Sequence, residues 1–119
     1  MEIILNNVKF QIHNSGLEAS VIPNDYKGNV VIPPYIQYDG KLWIPVKSIA
    51  YAAFRDCEEL TSVSLPEGLS TIENRAFEGC TQLKEIIIPD TVVCIQSNAF
   101  SKCKSLQKVK LPHMLMHID

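Results

Sequence analysis

The sequence repeats itself every 23 residues. From Ala53 onward, AFRDCEELTSVSLPEGLSTIENR is followed by AFEGCTQLKEIIIPDTVVCIQSN and then by the shorter AFSKCKSLQKVKLPHMLMHID. A fixed period of this length is typical of stacked coils in which each coil is one small supersecondary unit. The repeat therefore predicts a solenoid fold.

The apolar positions of the repeat recur, whereas most polar positions vary from copy to copy. A single short coil cannot bury large apolar side chains, so each must stack on its copy in the next coil. Each side chain buried in this way contributes roughly 1.5–3 kcal/mol. We expect interior columns, above all one of phenylalanines. The recurring positions are Ala53, Phe54, Cys57, Leu60, Val63, Leu65, Pro66, Leu69 and Ile72, with their copies in the later repeats.

The spacing within one repeat predicts its local structure. Apolar residues alternate around Val63 and Leu65, as in a strand with one buried face, and Pro66 ends that strand because it lacks an amide donor. Leu69 and Ile72 predict a second inward-facing segment, extended or turn-like. The AFxxCxxL stretch is compatible with one helical or 3₁₀ turn. Stacking these units predicts a parallel sheet on one face and short turns on the other.

The motif CxxLxxIxLPxxLxxIxxxAFxx, from Cys57 to the end of the chain, resembles the leucine-rich repeats of BspA-like and Treponema surface proteins. An imperfect earlier copy places Leu42, Val46 and Ile49 at repeat core positions, with Trp43 where the proline would stand. The resemblance implies a short leucine-rich repeat solenoid, a right-handed α/β-type or mostly β stack of coils. It also implies a non-enzymatic protein-interaction module of a cell-surface adhesion or ligand-binding family, with host matrix proteins as partners.

The first 41 residues differ from the repeats and predict an N-terminal β-hairpin cap. VKFQI and LEASVI alternate apolar and polar residues around the turn HNSG, which is the pattern of a hairpin. Residues 42–119 form the predicted repeat domain. No capping segment follows the last repeat, so we expect Leu111, Leu115 and Ile118 to face water or a partner. This predicts either self-association through that end, in a structural or assembly role, or a longer natural chain.

Composition and charge argue against two classes of partner, nucleic acids and the membrane interior. The chain has 119 residues, a net charge of −2 and a pI near 5.9, so no overall basic field favours nucleic acid. No apolar run is long enough for membrane insertion. The N-terminus lacks a secretory signal pattern. Location is therefore left open: cell surface or secreted if the chain is a trimmed form, cytoplasmic otherwise.

Residues capable of chemistry are few. Cys57, Cys80 and Cys103 share one repeat position; we interpret them as buried free thiols, with a disulfide or metal site as the alternative. Cys94 breaks the pattern and is a candidate reactive thiol. His113 and a second histidine four residues later are interpreted as surface residues. No catalytic motif appears, so we predict neither enzyme activity nor a cofactor or metal.

The outward positions of the predicted strands are the candidate binding residues. Stacking places Glu85 beside Lys108, which could form an ion pair. The alternatives are a solvated charge ladder and a strip that binds a protein ligand. Exposed aromatic residues near the cap either anchor the ligand or cover the first coil. The candidates are Ser62, Ser64, Glu85, Ile87, Lys108 and Lys110 on the strands, with Tyr38, Trp43 and the neighbouring Tyr35 near the cap.

Overall fold

The computed structural model describes residues 1–13, 16–37, 39–113 and 117–118, the last pair by backbone only. These residues form twelve strands and no α-helix. The strands are β1 (Glu2–Leu5), β2 (Val8–His13), β3 (Glu18–Val21), β4 (Gly28–Val31), β5 (Tyr35–Ile36), β6 (Ile44–Ile49), β7 (Leu60–Ser64), β8 (Thr71–Ile72), β9 (Glu85–Ile87), β10 (Cys94–Ile95), β11 (Lys108–Lys110) and β12 (His117–Ile118).

One long sheet runs along the whole stack in the order β1-β2-β3-β6-β8-β10-β12. Its first three strands are antiparallel and lie in the predicted cap, and β3 pairs in parallel with β6 of the coils. In the parallel part, Ile49 pairs with Ile72 and Ile72 with Ile95. Each residue therefore lies beside its own copy one period later, which confirms that one repeat is one coil of a solenoid.

A second face carries the strands expected to form the parallel sheet, but that sheet is interrupted. β4 pairs with β7, and β9 pairs with β11, both in parallel. The described residues show no ladder between β7 and β9. The continuous sheet instead runs through the segment of Ile49, Ile72 and Ile95, which the spacing predicts only as extended or turn-like. Hydrogen bonds elsewhere already fix the coil spacing, so the stack tolerates solvated backbone groups on this face.

The AFxxC stretch forms consecutive turns, and the expectation of a helical or 3₁₀ turn is wrong. Ala53 N donates to Ala50 O, and Cys57 N donates to Phe54 O, both at 3.1 Å. The third residue of each turn, Ala52 or Asp56, has a positive φ of 56° or 58°, which a right-handed helix does not allow. Between coils, Phe54 N donates to the next coil's backbone at 2.7 Å.

The phenylalanines form the predicted interior column. The ring centroids of Phe54 and Phe77 are 4.9 Å apart with an interplanar angle of 7°, and those of Phe77 and Phe100 are 5.3 Å apart at 4°. Tyr26 closes the column at the cap end, 4.4 Å from Phe54. Burial raises the pKa of Tyr26 to about 12, and its hydroxyl donates to Ile22 O at 2.8 Å.

The first coil contains an insertion. Val30 pairs with Val63, an offset of 33 residues, whereas β6 pairs with β8 at an offset of 23, so the first coil has ten extra residues. This stretch includes β5 and leaves Leu42 71% exposed. The expectation that Leu42 occupies a core position is therefore wrong, because the chain leaves the coil at this point. Val46 and Ile49 are fully buried, as expected.

Candidate protein-binding surface

The outward strip consists of Ser62, Ser64, Glu85, Ile87, Lys108 and Lys110, and the side chains of all six are exposed. Lys108 pairs with Glu85 and Lys110 with Ile87 across β11 and β9. On β7, Ser62 pairs with an asparagine of β4 and Ser64 with a valine. The strip therefore crosses three coils in two columns, one column through Ser62 and the other through Ser64.

The charged residues of the strip are not paired with each other. Glu85 and Lys108 are direct neighbours across the ladder, as expected. Their side chains nevertheless form no ion pair in the described part of the chain, so that part of the prediction is wrong. Ser62 makes a side-chain hydrogen bond to Asn29 Oδ1. The lysine side chains of the strip remain solvated and free to meet a ligand.

An interstrand groove separates β7 from β9. It has a volume of about 290 Å³ and is lined by Ser62, Val63, Ser64, Leu65, Glu67, Glu85, Ile86, Ile87 and Pro89. On either side of it the coils are bonded: Ile32 N donates to Ser64 O at 3.0 Å, and Ile88 N donates to Lys110 O at 2.9 Å. The equivalent bond from Leu65 N to Ile87 O does not form. The groove therefore combines backbone groups not bonded to each other with the apolar side chain of Ile87, which is 61% exposed.

The aromatic residues near the cap do not cover the first coil. Trp43 is 65% exposed and Tyr35 is 55% exposed, and together with Pro34 they line a shallow depression of about 490 Å³. The exposure of these two side chains does not support the alternative that they shield the core, and Tyr26 instead packs against Phe54 at that end of the ring column. Tyr38 lies outside the described residues.

The three repeat cysteines form a column of free thiols; Cys57 and Cys80 are buried, as interpreted from the sequence, and Cys103 is only partly buried. The thiol of Cys80 donates to Phe54 O at 3.1 Å, and that of Cys103 donates to Phe77 O at 3.0 Å. Burial raises the pKa of Cys57, while the neighbouring Cys103 thiol and burial raise the pKa of Cys80. The disulfide alternative is wrong, and no cluster able to hold a metal occurs among the residues that the structure describes. Cys94 lies half-buried on β10.

The repeat pattern does not predict the buried carboxylate of Glu78, which lies in the turn between the recurring Phe and Cys. Glu78 is only 4% exposed; Arg55 Nε approaches it at 2.9 Å, and Arg75 donates to its other oxygen. These arginines come from adjacent coils. The one available signal is a Glu between the recurring Phe and Cys of the middle repeat, where the other repeats have Arg55 and Ser101. The cluster clamps two coils together.

A second unforeseen network joins the cap to the first coil. Ser20, buried on β3, accepts or donates a hydrogen bond with His13 Nε2 at 2.8 Å and with Ser48 Oγ at 2.7 Å. Among the described residues, no carboxylate bonds to His13. The network therefore joins β2, β3 and β6 through side-chain hydrogen bonds.

Residues 41–119 match the family model described as the BspA-type leucine-rich repeat region, in six copies. This match covers more than half of the chain. The chain belongs to the BspA-type leucine-rich repeat family. Its recognition from the repeat motif is confirmed, and so is the leucine-rich repeat solenoid fold.

Solved structures of leucine-rich repeat proteins share this architecture. A leucine-rich repeat protein from Bacteroides ovatus is 30% identical, with a TM-score of 0.84 over 95% of this chain and 30% of its own. The leucine-rich repeat protein of T. pallidum is 34% identical, with a TM-score of 0.81 over 97% of this chain and 52% of its own. The chain thus spans about a third to half of these relatives. No curated protein matches it significantly.

The last described coil of the BspA-type stack is its least covered part. Val109 and Leu111 are 44% and 48% exposed, whereas their copies Ile86 and Ile88 are 1% and 2% exposed. Leu115 and the side chain of Ile118 lie outside the described residues, so their predicted role stays a prediction. None of the described residues belongs to a helix long and apolar enough to span a membrane.

Proposed function

We propose that this BspA-type chain is a non-enzymatic module that binds a protein ligand through the outward strip. The observation that carries the proposal is the interstrand groove, which interrupts an otherwise hydrogen-bonded stack in the middle of the strip. Solenoid surfaces of this kind serve as extended binding sites because their outward residues vary without disturbing the core.

The strip and the insertion supply different kinds of contact. Ile87 offers an apolar centre within polar surroundings, and the lysines on β11 offer charge at one end. Trp43 is a further candidate anchor, since exposed tryptophan and tyrosine side chains often contribute much of the binding energy at interfaces. Tyr38 is included as a candidate on the basis of the sequence. The resemblance of the repeats to those of surface proteins supports an adhesion role and a host matrix or cell-surface ligand.

A random peptide display library selected on the immobilised protein tests this proposal. We expect enriched clones that lose binding to an Ile87→Arg variant and to a Ser64→Arg variant, each with an unchanged melting temperature because both side chains are exposed. A matched control is Val93→Arg, which adds the same charge at an exposed residue next to β10, outside the strip. Clones that bind both strip variants as well as the wild type would contradict the proposal.

A structural or assembly role is the second candidate, favoured by the exposed Val109 and Leu111. In this role one chain would stack its last coil on another chain, through Leu111 and the predicted contacts Leu115 and Ile118. Sedimentation velocity over a wide concentration range tests it. Assembly predicts oligomers that Leu111→Lys converts to monomers, whereas a monomer at every concentration would refute it.

A further inference from the structure

We propose that the basic end of the outward strip binds an extended acidic segment of a partner protein, with an apolar side chain of that segment in the interstrand groove. The basic end consists of Lys108 and Lys110 on β11 with Lys102 and Lys104 of the same coil. The inference rests on the proposed function, because it names the chemistry of the ligand that the strip takes.

Charge is strongly separated along the stack. Residues 100–113 contain four lysines and no carboxylate, although the whole chain has a net charge of −2. Lys102 and Lys104 occupy the repeat positions that Asp56 and Glu58 hold two coils earlier. The sign of the surface therefore reverses from one end of the repeats to the other, and the last coil attracts carboxylates over a distance of about one Debye length.

The four lysines are all exposed and form no ion pair within the described residues. Lys108 has Glu85 opposite it in the ladder, yet their side chains are not joined. A ligand carboxylate at Lys108 or Lys110 therefore does not have to displace an existing partner. Lys102 and Lys104 add to the local field that steers an acidic segment toward β11.

The interstrand groove next to the lysines adds an apolar contact, which a charged surface alone does not offer. Ile87 lies opposite Lys110 on β9 and is exposed at the wall of the groove. Glu67 and Glu85 also line this space, so we place an apolar side chain of the ligand there and its carboxylates at the lysines. An extended polypeptide can alternate carboxylates with apolar side chains and so make both contacts. A polyanion without apolar groups would use only the lysines, so the geometry favours a polypeptide.

Fluorescence polarisation with a short synthetic peptide of alternating glutamate and valine tests the inference. One matched peptide has glutamine for glutamate, and another has serine for valine. Removing the charges should weaken binding about tenfold, because two exposed lysine contacts are lost. The Lys108→Glu/Lys110→Glu protein should show at least the same loss. A Lys41→Glu/Lys47→Glu protein, with the same change in net charge, should bind like the wild type. Ile87→Ser and the serine peptide should each weaken binding.

Equal binding of the glutamine and glutamate peptides, or equal binding by the wild type and the Lys108→Glu/Lys110→Glu protein, would overturn the inference. Two results together would also overturn it: the serine peptide binds as well as the valine peptide, and inorganic polyphosphate displaces the bound peptide. The site would then recognise negative charge alone. Library clones that depend on the strip but lack acidic residues would refute this inference and leave the proposed function intact. Clones indifferent to the strip would refute the proposed function itself.

Discussion

At the scale of single residues, buried polar groups are satisfied locally and bind neighbouring coils together. Glu78 is held between two arginines. The thiols of Cys80 and Cys103 each donate to the carbonyl oxygen of the phenylalanine in the preceding coil. The thiol column follows from the sequence because Cys recurs at one repeat position. The arginine clamp does not, because Glu78 occurs in one copy only and its partners vary.

Replacing Glu78 with glutamine should lower the free energy of unfolding by about 1–3 kcal/mol, because charge-assisted hydrogen bonds from two arginines are lost. Urea denaturation measures the change. Glu58→Gln is the control: that side chain is exposed and outside any ion pair in the described residues, so its effect should stay within about 0.5 kcal/mol. Equal effects of the two substitutions would refute the clamp.

The buried thiol of Cys57 predicts a loss of stability in alkali. Burial raises the folded pKa of Cys57 above its unfolded value, so its contribution is complete below the unfolded pKa of about 8.5 and declines as pH rises above it. Cys57→Ser keeps a donor for Asn24 O but removes this titration. Urea denaturation between about pH 8 and pH 10 should give a shallower decline for the variant. Identical slopes would show that Cys57 does not titrate differently in the folded state.

At the scale of elements, the strands follow from the apolar alternation, while the turns and the interruption of the second face do not. The turn residues with positive φ are Ala52, Arg75 and Asn98 at one repeat position and Asp56, Gly79 and Lys102 at the other. Only one of them is glycine, so composition carries almost no signal for this conformation. The insertion in the first coil is equally hidden, because Leu42 keeps the spacing of a core residue that it does not occupy.

Gly79→Ala should destabilise the protein by about 1–2 kcal/mol, which is what a left-handed conformation costs an ordinary residue. Gly79 has a φ of +78°, and an added Cβ would come within 2.3 Å of Asp56 Oδ1, but that atom ends an exposed side chain that can turn away. Asp56 and Lys102 hold the same repeat position at a φ of 58°, so the position accepts a side chain. Gly68→Ala is the matched control, because φ there is +97° and the space around it is open. Thermal unfolding should give losses of similar size for the two variants, and a much larger loss for Gly79→Ala would show that the Asp56 side chain cannot move.

At the scale of the whole molecule, the coils are held together by the long sheet, the two ladders of the second face, the hydrogen bonds between turns and the stacked interior rings. The repeat period alone predicts the solenoid and its phenylalanine column, since large apolar side chains of short coils have nowhere else to pack. It does not predict where the second face opens into a groove, because the residues on both sides keep the same spacing. The strip residues are identified from the alternation, but their ligand is not.

The free energy of unfolding of Phe77→Ala, measured by urea denaturation, tests the central claim that stacked apolar columns specify this fold. Phe77 is fully buried between Phe54 and Phe100. Its removal should cost about 3–5 kcal/mol, as expected for a ring in a packed core. A loss below about 1 kcal/mol, far under that range, would contradict the column.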